Sequence, residues 1–420
     1  MSTFRALLYV LVVPWLAVVL RGGKNGGLSY ALLVALGLLL VWGLRRRAPA
    51  WLRSAPARVA DVVCFNLIVA LLVIELGLRA WIAFGEPPAW LSSTPDTVRY
   101  RLAPSRAYFG TKPNSGGFYD QEWTPRAADG VRRVAVLGDS YSVGMVPFPD
   151  NYVTVADEAL GPSIELLNLG IVHTAVPEYV HVLRSEALRL APDLVVLSFY
   201  IGNDIHEDWA TGLFSSAGSK ALHAFRVLAV VSRSSEPYEQ VFAMESMIRE
   251  EPDGTRTELP LMTEQKHIDR EWKHLDALFR DPPSHRTRRA WHDTERAIGR
   301  FVRTCRDAGL PVVATIAPDE IQVVPALFER VARENGATTG EFDLEYPNRR
   351  LAALFAELGV PVLDFLPALR EAEVRATTYQ LRAVHWNRHG NAAAAALLAP
   401  WLRSQLDALA PAASAGEPSR

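Results

Sequence analysis

The chain is short of cysteine, of net charge and of internal repetition. Its 420 residues include two cysteines, Cys64 in an apolar helical stretch and Cys305 in an amphipathic one. Two thiols in unrelated settings make neither a disulfide framework nor a thiolate metal site. Formal net charge is −2, and no acidic or basic block interrupts the sequence beyond the apolar N-terminus. That removes the electrostatic footprint of a nucleic-acid binder, so no nucleic-acid partner is expected. The length is enough for two or three domains and a sizeable core.

What the chain has in excess is apolar sequence at its start. Residues 4–20, 28–44 and 60–84 are apolar runs, each approaching the ~20 residues that cross a bilayer core as a helix. The first run has a weak n-region, no small-x-small cleavage site and further apolar runs behind it. It reads as an uncleaved anchor and not as a signal peptide. Arg45, Arg46, Arg47, Arg53 and Arg58 lie between the second and third runs, which places that loop in the cytoplasm and the chain after residue 84 outside. Arg21 and Lys24 pull weakly the other way. The expectation is a multi-pass inner-membrane protein, with residues 1–84 as the membrane region and the rest facing the periplasm or cell exterior. Glu75 and Arg79, four apart in the third run, read as a self-paired couple near the interface. A membrane-protein partner contacted through these helices is the other reading.

Residues 85–130, rich in Pro, Ser, Gly and aromatics, read as a connector packed on the domain that follows. From residue 131 apolar runs alternate with helical periods. Strands are expected at residues 134–137, 164–169, 193–200, 310–316 and 360–365. Helices are expected over 151–160 with Asp150 as cap, and over 177–190, 290–308, 324–334, 349–358 and 391–409. The rhythm breaks at about residues 205–289, where mixed charge and scattered aromatics suggest an insertion near the ligand face. Residues 410–420 form a polar tail expected to be disordered. Five strands alternating with helices over residues 131–409 make an α/β domain, a parallel sheet between two helix layers.

Three of the expected strands run into polar or glycine-rich turns: Gly138-Asp139-Ser140, Asn168-Leu169-Gly170 and Gly202-Asn203-Asp204. In an open parallel sheet these turns share one rim, the edge where such sheets bind ligands. Ser140 is the candidate nucleophile. Acyl transfer at a serine needs a base for its proton and donors for the oxyanion. The N–H groups of Ser140 and Gly170 and the Asn203 amide can supply those donors. Of ten histidines, His385 in the loop HWNRHG before the last helix falls on the same rim, with His389 as runner-up. The other eight, His267 and His274 among them, have no companion set at metal-ligand spacing and are read as solvated or locally bonded. The tryptophans Trp209, Trp272, Trp291 and Trp386 can stack on sugars, but buried packing is the expected use of each.

At these residues the chain resembles the SGNH (GDSL-type) hydrolases, whose four sequence blocks it matches in order. The resemblance covers roughly residues 131–204 and 290–409. It implies a flavodoxin-like three-layer α/β/α sandwich with a five-stranded parallel sheet and esterase, lipase or carbohydrate O-acyl chemistry. It also implies Ser140 as nucleophile, His385 as base and Ser140, Gly170 and Asn203 as the oxyanion hole. No metal or organic cofactor is needed. A nucleophile elbow of the α/β-hydrolase type would require glycine where Ser142 stands.

One departure is plain. The family's aspartate two or three residues before the histidine is replaced by Ala383 and Arg382. Three readings stay open: a Ser-His dyad with a backbone carbonyl orienting His385, a substitute carboxylate such as Asp364, or a weak or inactive site. Arg382 is expected to face solvent or an anionic ligand, because pointed inward it would lower the histidine's basicity. The sequence therefore describes a membrane-anchored serine esterase or O-acyltransferase for ester groups of envelope or extracellular glycans. Its rival is an SGNH-like binding or scaffold domain of an envelope polysaccharide machine.

Overall fold

The computed structural model describes residues 9–11, 34, 36–38, 54–84, 101–205, 248–250 and 256–409. It divides into two compact units, residues 1–99 with 208–235 and residues 100–207 with 236–420. The described part of the first unit is dominated by α1 (Ala55–Phe84). Within it, Arg58–Leu78 has a mean hydropathy of 2.4 and only 6% of it is buried. It is the one helix among the described residues long and apolar enough to cross a membrane. The expected spans at residues 4–20 and 28–44 lie outside the described residues, apart from the helical fragments 9–11, 34 and 36–38. Tyr9 Oη donates to the Asp61 carbonyl at 2.7 Å, a polar contact onto α1.

The second unit is built on five parallel strands: β1 (Arg132–Leu137), β2 (Ile164–Asn168), β3 (Leu194–Tyr200), β4 (Val312–Ala317) and β5 (Val362–Asp364), in the order β2-β1-β3-β4-β5. All seven residues of β3 are buried, because helices cover both faces of the sheet. Alternate residues go to opposite cores. Ala135, Leu137, Val195, Leu197 and Phe199 pack beneath α3 (Val176–Ser185) and α5 (His285–Asp307). Val134, Val136, Leu194 and Val196 pack beneath α2 (Tyr152–Leu160) and α9 (Arg388–Leu409). Truncating Leu197 to alanine in such a two-sided core costs about 2–5 kcal/mol. The architecture is the α/β sandwich with a five-stranded parallel sheet that the sequence describes.

Several details differ from the sequence reading. The cap of α2 is Asn151, whose side chain accepts from the Val153 N–H at 2.8 Å, while Asp150 closes a short 3₁₀ turn before it. An unexpected helix, α8 (Leu366–Arg375), follows β5 directly. The helical rhythm resumes earlier than residue 290, with α4 (Glu264–His274) running into a π-helical turn at Leu275–Phe279. Ile268, Leu275, Leu278 and Phe279 are buried in the main core, so this part is structural. Its period was masked because α4 also buries His267, Glu271 and His274. Two longer helices lie between β4 and β5, α6 (Pro325–Glu334) and α7 (Tyr346–Glu357). Within residues 101–130, Tyr108, Phe118 and Tyr119 are buried, and Arg133 on β1 donates to the Thr124 carbonyl at 3.0 Å and pairs with Glu165 at 2.8 Å.

Candidate active site

In the strand order found here, connections leave β1 and β3 in opposite directions, which opens a crevice at their carboxyl ends. Ser140 follows β1 there, as the first residue of the helical turn Ser140–Val143. Asp139 caps that turn, accepting from the Tyr141 N–H at 2.9 Å. The turn ends at Gly144, whose φ of +87° favours glycine and where a Cβ would collide with the side-chain amide of Asn151. Asn151 Nδ2 in turn donates to the carbonyls of Ser142 and Val143. The serine is thus held by its own backbone.

His385 reaches it from the other side of the chain. Its Nε2 lies 2.9 Å from Ser140 Oγ, within hydrogen-bond reach of a base for its nucleophile. Its Nδ1 lies 2.8 Å from the Ala383 carbonyl oxygen. A carbonyl can only accept, so Nδ1 carries the ring proton and Nε2 is the bare nitrogen facing the serine hydroxyl. Presenting that carbonyl requires an unusual loop. Arg382 and Val384 both have left-handed backbones, with φ of +55° and +57°. For β-branched Val384 this conformation is strained and persists only where the surroundings impose it. They do: Tyr141 Oη donates to the Val384 carbonyl, the Gln380 N–H donates to the His385 carbonyl at 2.8 Å, and Gln380 Nε2 donates to the Met145 carbonyl at 2.6 Å.

Asp364, the expected substitute acid, is engaged elsewhere and is not brought onto His385. Its carboxylate accepts from Asn348 Nδ2 at 2.9 Å and from the Leu366 N–H at 2.9 Å, tying β5 to α7 and to the start of α8. His385 Nδ1 is satisfied by backbone instead.

The expected oxyanion donors are on the rim, but two of the three are engaged. The Gly170 N–H donates to Asn168 Oδ1 at 3.1 Å. Asn203 Nδ2 donates to the Thr174 carbonyl at 2.6 Å and to Asp139 Oδ2 at 3.2 Å. The Ser140 N–H, at the head of its turn, donates to no described residue. Glycine at 170 is obligatory, since a Cβ would stand 2.7 Å from Ser142 Cβ and 2.9 Å from the Val143 nitrogen.

Burial sets the electrostatics. It pushes His385 down to about 3, aided by the Arg270 charge and by His173, against the opposing pull of the Ala383 carbonyl. It pushes Asp139 up to about 7, although the Tyr141 N–H and the Asn203 amide both favour the carboxylate. Trp291 and Trp386 are buried packing residues, and Trp209 lies outside the described residues.

Sequence reasoning missed a second set on the same rim. His267 and His274, read from sequence as having no companions, converge with Glu271, Asp319 and Glu320, all five buried. His274 Nδ1 lies 2.7 Å from Asp319 Oδ2, and His267 Nε2 lies 3.0 Å from Glu320 Oε2. Although burial pushes Asp319 upward, His274 beside it holds the carboxyl down at about 2. Glu271 is pushed well above the carboxylate range by burial and by the neighbouring Asp319 and Glu320. The signal was there: positions 267, 271 and 274 fall on one face of a helix.

No family model and no curated protein matches the sequence. Solved structures similar to the chain include the acetyl xylan esterase AlAXEase, 13% identical over 64% of this chain and 98% of that one, with a TM-score of 0.34. A member of the lipolytic protein G-D-S-L family from Veillonella parvula is 13% identical over 63% of this chain and 95% of its own, with a TM-score of 0.33. The inhibitor-bound aryl esterase of M. smegmatis is 13% identical over 65% of this chain and 99% of its own, with a TM-score of 0.34. At these identities and TM-scores the likenesses carry no argument about activity.

Proposed function

We propose that the second unit is a serine ester hydrolase of the SGNH type working through an acyl-Ser140 intermediate. The observation that carries this reading is the 2.9 Å approach of His385 Nε2 to Ser140 Oγ at the carboxyl edge of β1. Ser140 Oγ attacks the ester carbonyl while Nε2 takes its proton, and the Ser140 N–H donates to the oxyanion. Gly170 N–H and the Asn203 amide join it by sharing or exchanging their present acceptors. The alcohol leaves with the proton from Nε2, and a water, deprotonated by the same nitrogen, then releases the acid. A sugar hydroxyl in place of that water makes the protein an O-acyltransferase.

The lack of a triad carboxylate is survivable on physical grounds. Replacing that acid by an amide in a serine protease costs roughly 10⁴-fold, because the histidine adopts the wrong tautomer. The Ala383 carbonyl fixes the correct tautomer, so only the charge stabilisation of the imidazolium is lost. Membrane placement belongs to the same proposal: α1 anchors the chain in the inner membrane, the second unit faces the periplasm or cell exterior, and the esters are acyl groups of envelope or extracellular glycans. A membrane-protein partner through the N-terminal helices is part of that proposal too.

The second reading, a non-catalytic binding or scaffold domain, draws on the engaged oxyanion donors. A fluorophosphonate probe and p-nitrophenyl acetate separate the two. The expected result is stoichiometric labelling and ester turnover, both lost in Ser140→Ala. No labelling, or labelling that survives Ser140→Ala, sinks the esterase reading.

A further inference from the structure

Five buried side chains lie together at the end of α4 and the turn after β4: His267, Glu271, His274, Asp319 and Glu320. They form two triads, His267–Glu271–Glu320 and Glu271–His274–Asp319, with ligand atoms in each lying within 4.8 Å of one another. Glu271 belongs to both. It is 0% exposed, yet neither of its carboxylate oxygens has a hydrogen-bond partner. A buried carboxylate left so is costly, and native structures leave few such groups without a reason. Its neighbours do not relieve it. Asp319 accepts from Tyr200 Oη at 3.0 Å and sits on His274, and Glu320 sits on His267.

Charge points the same way. Three carboxylates, Glu271, Asp319 and Glu320, are crowded into one buried cluster, where each disfavours the charge of the others. A proton shared between Glu271 and Asp319 would occupy one Glu271 oxygen and leave the other bare. A divalent cation answers both oxygens and the charge together.

We propose that these residues form a binding site for a divalent transition-metal ion, with Glu271 as the ligand common to both triads. Two imidazoles with three carboxylates suit zinc, manganese or ferrous iron. Ligands at ~2.0–2.2 Å from such an ion stand roughly 3 Å apart, so the 3.0 Å and 2.7 Å pairs already fit. The 4.0 Å from His267 Nε2 to Glu271 Oε1 closes by a small side-chain movement. The site is structural, and a run of contacts connects it to the loop of His385. Asp319 holds Tyr200, whose ring lies 4.1 Å from that of Tyr141, and Tyr141 holds the Val384 carbonyl beside His385.

The test is metal analysis of the full chain, purified in detergent without chelator or polyhistidine tag, followed by EDTA stripping and calorimetric titration with Zn²⁺ or Mn²⁺ alone. The expected result is tight binding of about one equivalent or more, with a thermal midpoint lowered by EDTA and restored by the metal. Glu271→Gln, isosteric and neutral, should lose that binding and make the midpoint indifferent to EDTA, and His267→Ala serves if Glu271→Gln does not fold. A wild-type chain that takes up neither ion and ignores EDTA overturns the proposal, and leaves a proton as the neutralising charge. Ser140→Ala should bind metal like the wild type, so this result stands apart from the fate of the esterase reading.

Discussion

Two histidine settings share one rim of the sheet, and they are built from opposite materials. Around His385 the nearest partners are uncharged: the Ala383 carbonyl on one nitrogen, the Ser140 hydroxyl on the other, and peptide N–H groups with the Asn203 amide for the oxyanion. Around His267 and His274 the partners are three buried carboxylates. The first setting depends on the exact path of the chain, while burial and the Arg270 charge keep its histidine neutral. Side-chain charges make the second setting depend on a counter-charge. One is sensitive to shape, the other to ions.

The largest effect expected from this contrast is on shape. Gly170→Ala places a Cβ against Ser142 Cβ and the Val143 nitrogen, at 2.7 Å and 2.9 Å. The nearest relief is to push the Ser140 turn away from His385. Overpacking of this kind costs about 1–3 kcal/mol, so kcat/KM for an aryl ester should fall roughly ten- to hundred-fold. Metal uptake should not change. Unchanged kcat/KM would mean that the turn is not held as tightly as the backbone contacts imply.

Next comes pH. A histidine paired with a carboxylate gains basicity, whereas His385 is pushed down to about 3 by burial, the Arg270 charge and His173. A base acts in its neutral form, so lowering its pKa extends activity to acid pH. Tyr141, the ring beside it, is held neutral by its own burial. An ordinary histidine would lose half its activity by about pH 6.5. Here the histidine should add no acid limb to kcat/KM between pH 8 and about 5, and any limb near 7 should be that of Asp139, which burial pushes up to about 7, and should vanish in Asp139→Asn. An acid limb centred near 6.5 that persists in Asp139→Asn would show a histidine in an ordinary, charge-supported setting and break the comparison.

The same contrast explains what was legible in the sequence. The five strands and the serine turn could be read because apolar runs and turn residues report them directly. Gly170 was legible as a glycine, since close approach demands that residue type. The Ala383 carbonyl was not, because any residue supplies a carbonyl, and the left-handed Arg382 and Val384 are residues that normally avoid that conformation. The metal cluster failed for another reason. Its residue types are informative, but α4 buries them beside Ile268 and Leu275, so the apolar period that marks a helix was broken.

The smallest expected effect falls on the residue that sequence reasoning offered as the missing acid. Asp364 is pushed upward by burial and answers Asn348 and Leu366 with its oxygens. In Asp364→Asn the new Oδ1 keeps the Leu366 N–H, but the new amide opposes Asn348 Nδ2. Asn348 cannot turn freely, because its Oδ1 accepts from Gln322 Nε2 at 2.7 Å. The variant should therefore lose about 1 kcal/mol of stability, the worth of one hydrogen bond. Its kcat/KM should stay within about twofold of the wild type, since the orienting group of His385 is untouched. A fall of tenfold or more, at a temperature where the variant is folded, would restore Asp364 to the catalytic set. The active site would then be charge-built after all, and the distinction between the two histidine settings would be one of degree.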